Sequence, residues 1–338
     1  VNEVDARLRQ WGATEEEIAR ARAHHQIGVL AASVAVLPSG PRYTPEELAT
    51  KVGMDRELAA RFWRALGFAD VADDERVFTE EDAEALSIVH ALLQLGLASP
   101  EVAMQTARVL GSSLARIAEA MLGNGIGSDD PESAEMYALN ADVSLATQAK
   151  LLEYVWRRHV QAAARRRLMA EPSDAPTVPL AVGFADLVGF TALSQQVSDH
   201  ELANIVGRFE ELAFDQVAAH GGRVAKMIGD EVMFVVDDVG AAAETALALA
   251  EAYADDEVLS DVRVGLAYGD VLAREGDYYG PVVNLASRMV NIAFPGSVVV
   301  SESVHAALVD DPRFAFHSLR PRNLKDIGRV RMWRARLA

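Results

Sequence analysis

LAVGFADLVGFTALSQQVSDHELANIVGRFEELAFDQVAAHGGRVAKMIGDEVMFVV, residues 180–236, changes period several times within a short span. Residues 180–187 are a brief apolar run, the pattern of a buried strand. Residues 191–220 carry a helical period. Residues 221–236 read as a strand, a sharp turn around Gly229 and Asp230, and a second strand. Downstream, GAAAETALALAEAYA (240–254) reads as an Ala-rich helix. DVRVGLAYGDVLARE (261–275) reads as a strand, a turn at Gly269 and Asp270, and another strand. The order β-α-β-β-α-β, followed by extra elements, predicts an α+β fold of the ferredoxin-like, split βαβ type.

Upstream the character is all helical. TEEEIARARAHHQIGVLAASVAVL (14–37) opens on a Thr-x-x-Glu cap and reads as one helix, stopped by the break at residues 37–41. YTPEELATKVGMDRELAARFWRALGF (43–68) reads as helix, tight turn, helix: Thr44 caps, Pro45 takes the first helical position and Gly53 turns the chain. Thr79 and Ser99 begin two further helices. Residues 123–131 read as a loop, and residues 144–170 as one long helix. Residues 171–179, EPSDAPTVP, are polar and Pro-rich and form the expected linker. The expected organisation is therefore a helical domain at 1–170, a linker at 171–179 and an α+β domain at 180–338.

The chain has 338 residues, half of them hydrophobic, which is material for two cores. Its net charge of −18 argues against a nucleic-acid partner, because a phosphate backbone demands a basic stripe. With no cysteine, disulfide frameworks and thiolate metal sites are excluded. No run of about 18 apolar residues predicts a membrane span, and the charged N-terminus lacks a signal-peptide core. The expectation is a cytoplasmic protein.

Two carboxylates punctuate the strands. Asp186 ends the first, and Asp230 sits in the turn between the second and third. If the first and second strands pair side by side, both converge on one open edge. That is a suitable place for Mg²⁺, which prefers one or two carboxylates plus phosphate oxygens. The segment Gly189-Phe190-Thr191 runs into a helix whose free N–H groups suit a phosphate. In YYGPVVNLASRMVNIA (278–293), Asn284 and Arg288 are four apart, on one face of a helix. An amide and a planar guanidinium suit a ribose and a phosphoryl group.

FADLVGFTALS (184–194), KMIGDEVMFVV (226–236) and EGDYYGPVVNLASRM (275–289) resemble, in order and spacing, three motifs of the class III adenylyl and guanylyl cyclases. The resemblance covers residues 179–338. It implies that Asp186 and Asp230, with the Leu187 backbone carbonyl, hold two Mg²⁺ (or Mn²⁺) per active site. Lys226 and Asp277 fall on the purine-reading positions in their ATP-selecting version; guanylyl cyclases tend to carry Glu and Cys there. Asn284 falls on the ribose-orienting position and Arg288 on the transition-state arginine. Phe190 and Thr191 fall beside the triphosphate. Lys325, in RNLKDIG, resembles a late triphosphate-binding lysine, with Asp326 where a Gly is expected. The implied reaction is conversion of ATP to 3′,5′-cyclic AMP and pyrophosphate by in-line attack of the ribose 3′-hydroxyl on the α-phosphorus. In the family the site is shared between two domains, so a homodimer is the implied partner arrangement. The turn reads IGDEV, unlike the GG[DE]EF-type turn of a diguanylate cyclase. The alternative is a catalytically weak, cyclase-like dimeric sensor or DNA-binding regulator.

Residues 44–68, TPEELATKVGMDRELAARFWRALGF, followed by FTEEDAEAL (78–86), also resemble the helix-turn-helix of MerR-like proteins, and the same layout resembles the N-terminal regulatory domain of actinobacterial pH-regulated cyclases. Acidic neighbours around Arg56, Arg61 and Arg64 favour the regulatory role. In WRRHVQAAARRRLMA (156–170), Arg157, Arg158 and His159 are candidate regulatory residues, because an imidazole titrates near neutral pH. The Leu/Met/Val-rich residues 86–122 raise a small apolar ligand as a further expectation of this domain.

Overall fold

A computed structural model of the chain describes residues 2–37, 40–123, 130–169 and 176–338. The chain divides into two compact units, Val1–Pro172 and Ser173–Ala338. Residues 38–39 of the expected break, 124–129 of the expected loop, Ala170 at the expected helix end and 171–175 of the expected linker lie outside the described residues. Among the described residues, no helix is long and apolar enough to cross a membrane.

The first unit contains the helices α1 (Glu3–Gln10), α2 (Glu15–Ala23), α3 (Ile27–Ala35), α4 (Pro45–Val52), α5 (Arg56–Ala65), α6 (Glu80–Gln94), α7 (Pro100–Met121), α8 (Pro131–Leu139) and α9 (Ala141–Met169). Capping boxes at Thr14, Thr44 and Thr79 satisfy the first free N–H groups of α2, α4 and α6. One cluster, with Val4, Leu8, Ile18 and Ala138, joins α1, α2, α3 and α8. Another, with Leu48, Phe78 and Leu86, joins α4, α5 and α6. The single helix expected over residues 14–37 is instead two. His25 adopts a left-handed φ of 56°, the Gln26 N–H donates to the Ala21 carbonyl at 2.7 Å, and the His25 N–H donates to that of Arg22 at 3.3 Å. That is a Schellman stop, made here by a residue other than glycine. Helix α8 was not expected. Its signals are Asp130, whose side chain accepts from the Ser133 N–H, and Pro131 in the first turn.

The second unit runs β1 (Thr177–Leu187), α10 (Phe190–Leu193), α11 (Asp199–Ala219), β2 (Arg223–Ile228), β3 (Glu231–Val236), α12 (Val239–Ala254), β4 (Val262–Arg274), β5 (Asp277–Tyr279), α13 (Pro281–Val290), β6 (Ser297–Ser301), α14 (Glu302–Leu308), β7 (Phe314–Ser318), β8 (Arg322–Leu324), β9 (Gly328–Val330) and β10 (Met332–Leu337). The sheet order is β2-β3-β1-β4-β6-β10-β7, with β5 on β4 and β8–β9 as a separate pair. The first four strands are the ferredoxin-like arrangement. Residues 177–179, expected in the linker, already belong to β1, because their backbones pair with β4. Helical residues 191–220 split into α10 and α11, since Ser198 forms a new capping box with Glu201.

Two expectations about pairing are corrected. β1 does not pair with β2; it lies between β3 and β4, antiparallel to both. β4 does not turn at Gly269 and Asp270, for both stay in its ladder with β1, opposite Leu180 and Pro179. The sheet has two apolar faces. α11 and α12 cover one, with Ala181, Leu187, Phe234 and Val264 in its core. On the other, α13 lays Ala286 and Val290 against Val182, Phe184, Met233 and Val235.

Candidate active site

Asp186 closes β1 directly opposite Glu231 of β3 and Arg263 of β4. Side chains paired in this way share a face. By strand alternation that face is the one lined by Phe184 and Met233, the side carrying α13. The β2–β3 connection is a two-residue hairpin loop, with Ile228 paired to Glu231. Gly229 takes its first position at φ 63°, which a side chain resists. Asp230 follows, and its carbonyl accepts the Leu187 N–H at 3.0 Å. The end of β1 and the hairpin tip are thereby tied, and the two aspartates converge despite the altered strand order. Beyond Leu187, the Val188 N–H donates to the Asp261 carbonyl at 2.9 Å, and the Ser260 hydroxyl donates to the Val188 carbonyl at 2.7 Å. This pins the chain as it enters α10 at Phe190 and Thr191.

The end of β1 and the hairpin tip gather three carboxylates against the charge of Arg263. Burial raises the Asp186 pKa, the Asp230 charge raises it further, and Arg263 opposes both. Glu231 is pushed up to about 7 by burial, Asp186 and Asp230. Among the described residues, no group of three or more His, Asp or Glu side chains is arranged to hold a metal ion. Two carboxylates and a carbonyl of hard oxygen character nevertheless fit Mg²⁺, which leaves its remaining positions to water and phosphate. The like-charge repulsion at Asp186 is what a bound cation relieves. Glu231 and Arg263 escaped the sequence reading, because only the strand register puts them beside Asp186.

The Glu231 carboxyl gives a first prediction. In the unfolded chain it ionises near ~4.3; in the folded chain it does so at about 7. Between these values the folded state holds the extra proton, so its stability falls as pH rises through that window. With chelator present, Glu231→Gln is expected to melt about 2–4 °C above wild type at pH 8, a figure reduced for partial exposure, and to show no gain at pH 4. Calorimetry at the two pH values checks it.

The second cluster forms where β5 returns over the sheet. Lys226 Nζ of β2 donates to Asp277 Oδ2 at 2.6 Å, and the Tyr278 N–H donates to Asp277 Oδ1 at 2.8 Å. Asn284 and Arg288 both lie on the exposed side of α13, whose other side buries Ala286, Met289 and Val290. Among the described residues neither side chain has a hydrogen-bond or ion-pair partner. Lys325 is exposed between β8 and β9. In the other unit, His159 is exposed on α9, Arg157 pairs with Glu153 at 2.6 Å and Arg158 donates to Gln161 at 2.9 Å. Arg56 pairs with Asp73 and Arg64 with Asp70, so these arginines of α5 are already neutralised locally.

Residues 173–335 match the profile of the adenylate and guanylate cyclase catalytic domain. The chain belongs to this family. Residues 2–150 match the adenylate cyclase regulatory domain. The chain is similar to an adenylate cyclase of Streptomyces coelicolor, with 41% identity across 81% of this chain and 74% of that one. It is also similar to an adenylate cyclase of Glutamicibacter nicotianae, 34% identical over 79% and 72% of the two chains. A pH-sensitive adenylate cyclase of Mycobacterium tuberculosis is 34% identical over 98% of this chain and 87% of that one. The cyclase domain and the preceding helical domain thus occur together in relatives matched along most of their length.

Proposed function

We propose that this cyclase converts ATP to 3′,5′-cyclic AMP and pyrophosphate at sites shared by two copies of the chain. The observation that carries the reading is the Lys226–Asp277 pair, 2.6 Å apart, in the same unit as the converging Asp186 and Asp230. Adenine offers an amine donor beside a ring-nitrogen acceptor. Asp277 accepts from the amine and Lys226 donates to the ring nitrogen. Guanine turns a carbonyl oxygen toward the carboxylate and is disfavoured, because two acceptors then face each other and the half-buried carboxylate is left without a donor. The relatives named adenylate cyclase support the same choice of base.

Asp186, Asp230 and the Leu187 carbonyl would hold two Mg²⁺ or Mn²⁺ ions, which supply activation of the 3′-hydroxyl and neutralisation of the departing pyrophosphate. Asn284 orients the ribose. Arg288 stabilises the charge that builds on the α-phosphoryl oxygens. Phe190 and Thr191 border the triphosphate, Lys325 contacts it, and Arg263 offers it a fixed positive charge beside Asp186. The unpartnered Asn284 and Arg288 act on a nucleotide whose metal site belongs to the other copy, which gives two equivalent sites per dimer.

The helical unit regulates the catalytic one, with pH as the signal and His159, Arg157 and Arg158 as its local instruments. The pH-sensitive relative supports this. The test is cyclic nucleotide production by the whole chain from ATP or GTP, with Mg²⁺ or Mn²⁺, between about pH 5.5 and 8. Cyclic AMP from ATP with a steep pH profile, flattened in His159→Ala, is expected. Cyclic GMP as the main product removes the assignment of the purine-reading pair, and a profile that His159→Ala leaves unchanged places sensing elsewhere.

A further inference from the structure

The chain carries a net charge of −18, yet residues 312–338 hold eight Lys and Arg against one acidic residue, Asp326. Arg313 pairs with Asp311 and Glu244, and Arg331 pairs with Glu302. The other cations of the segment have no hydrogen-bond or ion-pair partner among the described residues. Arg329 and Arg331 line a cavity of about 660 Å³. Leu285 of α13, Ala306 of α14 and Val330 of β9 give it an apolar wall, and the segment Ser301-Glu302-Ser303 closes it. The two hydroxyls there are committed to the frame. The Ser303 hydroxyl donates to the Tyr268 carbonyl at 2.6 Å, and the Ser301 hydroxyl, 2.9 Å from that of Ser303, accepts the Val304 N–H at 3.4 Å. The Glu302 carboxylate is taken up by Arg331. The donors left over are the Arg329 guanidinium and the remaining N–H groups of Arg331.

We propose that this cavity is a second anion site, which takes the phosphate group of a small phosphorylated molecule and regulates the cyclase through α13. Guanidinium groups meet phosphate oxygens with paired N–H donors. The volume is that of a small-molecule pocket rather than of a bare phosphate, and the wall of Leu285, Ala306 and Val330 suits an apolar part of the same ligand. The surrounding cations gather anions that the rest of this acidic chain repels. Leu285 lies on α13 between Asn284 and Arg288, and Arg329 follows Lys325 by four residues on the β8–β9 hairpin. A ligand held between Leu285 and Arg329 bridges two elements assigned to grip the nucleotide. By ordering them it lowers the cost of binding ATP. The regulation rests on the reading of Asn284, Arg288 and Lys325 as nucleotide-contacting groups, whereas the anion site does not.

The experiment titrates the full chain with phenyl phosphate or inorganic phosphate by calorimetry, in chelator and at fixed ionic strength, with the melting temperature of each variant recorded. Phenyl phosphate is expected to bind the more tightly, since only the ester meets the apolar wall. Arg329→Ala is expected to weaken it about tenfold through loss of a charge-assisted donor. Glu302→Gln is expected to tighten it about threefold, because Arg331 is released to the anion. The opposite signs separate a binding role from a structural one. If the Glu302–Arg331 pair merely holds the fold, Glu302→Gln lowers the melting temperature and weakens binding, which overturns the site. Failure of both probes to bind, or unchanged binding in Arg329→Ala, overturns it as well, and equal affinity for the two probes overturns the apolar-bearing ligand. This arm needs no cyclase activity, so it stands or falls apart from the assignment of ATP. In the assay with ATP and Mg²⁺, phenyl phosphate is expected to lower KM for ATP about threefold with little change in kcat, and to do neither in Arg329→Ala. A KM that rises in proportion to phenyl phosphate marks competition at the nucleotide site and overturns the proposal. A KM unmoved by a probe that binds overturns the regulation.

Discussion

Asp230→Ala is expected to lower cyclic AMP formation by at least ~10³-fold, because it removes one of the two carboxylates proposed as metal ligands and with it most of the charge compensation that such a metal would give the attacking and leaving oxygens. The loss will not be one of folding. The contact that ties the hairpin to β1 runs from the Leu187 N–H to the backbone carbonyl of residue 230 and survives the substitution. Asp230 also raises the pKa of Asp186 and of Glu231, so in metal-free protein its charge is a burden on the folded state. The variant should therefore melt at or slightly above the wild-type temperature in chelator. It should also lose the stabilisation that Mg²⁺ or Mn²⁺ gives the wild type, since a ligand bound only by the folded state raises its melting point. Inactive, folded and blind to the metal is the expected combination. Retained activity, or an unaltered response to metal, removes the assignment of these aspartates.

The sequence carried the catalytic unit further than the regulatory one, for physical reasons. Strand and helix periods over residues 180–254 report local burial, and they placed β1, β2, β3 and α12 closely. Pairing is a long-range choice that period does not encode. The expected β1–β2 pairing was wrong for that reason, although the convergence of Asp186 and Asp230 stood, because β3 brings the same hairpin tip to β1. Glu231 and Arg263 face Asp186 only through register, 45 and 77 residues of chain being irrelevant to a pair of hydrogen-bonded ladders that set them side by side. The turn expected at Gly269 and Asp270 rested on a dipeptide that marks turns in isolation, and the ladder with β1 outweighed it. In the helical unit, the break at His25 had no glycine to announce it. The Lys226–Asp277 contact spans 51 positions and was legible only through resemblance to a family.

The second large effect concerns the sharing of sites. Arg288→Ala is expected to be as inactive as Asp230→Ala within about an order of magnitude, for in its proposed role it supplies charge stabilisation made in the transition state. Purified mixed dimers carrying one copy of each variant should nonetheless recover about half of the wild-type activity per dimer, because one of two equivalent sites then receives both its Asp230 and its Arg288 intact. The structural ground is α13. It buries Ala286, Met289 and Val290 and turns Asn284 and Arg288 to solvent, with no partner for either side chain among the described residues. The reciprocal experiment has the opposite sign. A dimer of wild type with the double variant Asp230→Ala, Arg288→Ala contains one damaged group in each site and should be inactive, although one of its chains is wholly intact. Sites confined within single chains reverse both results: the first pair stays silent, and the second keeps about half of the wild-type activity. Neither outcome follows from a general loss of stability, since the same two lesions are present in both dimers and only their distribution between the chains differs.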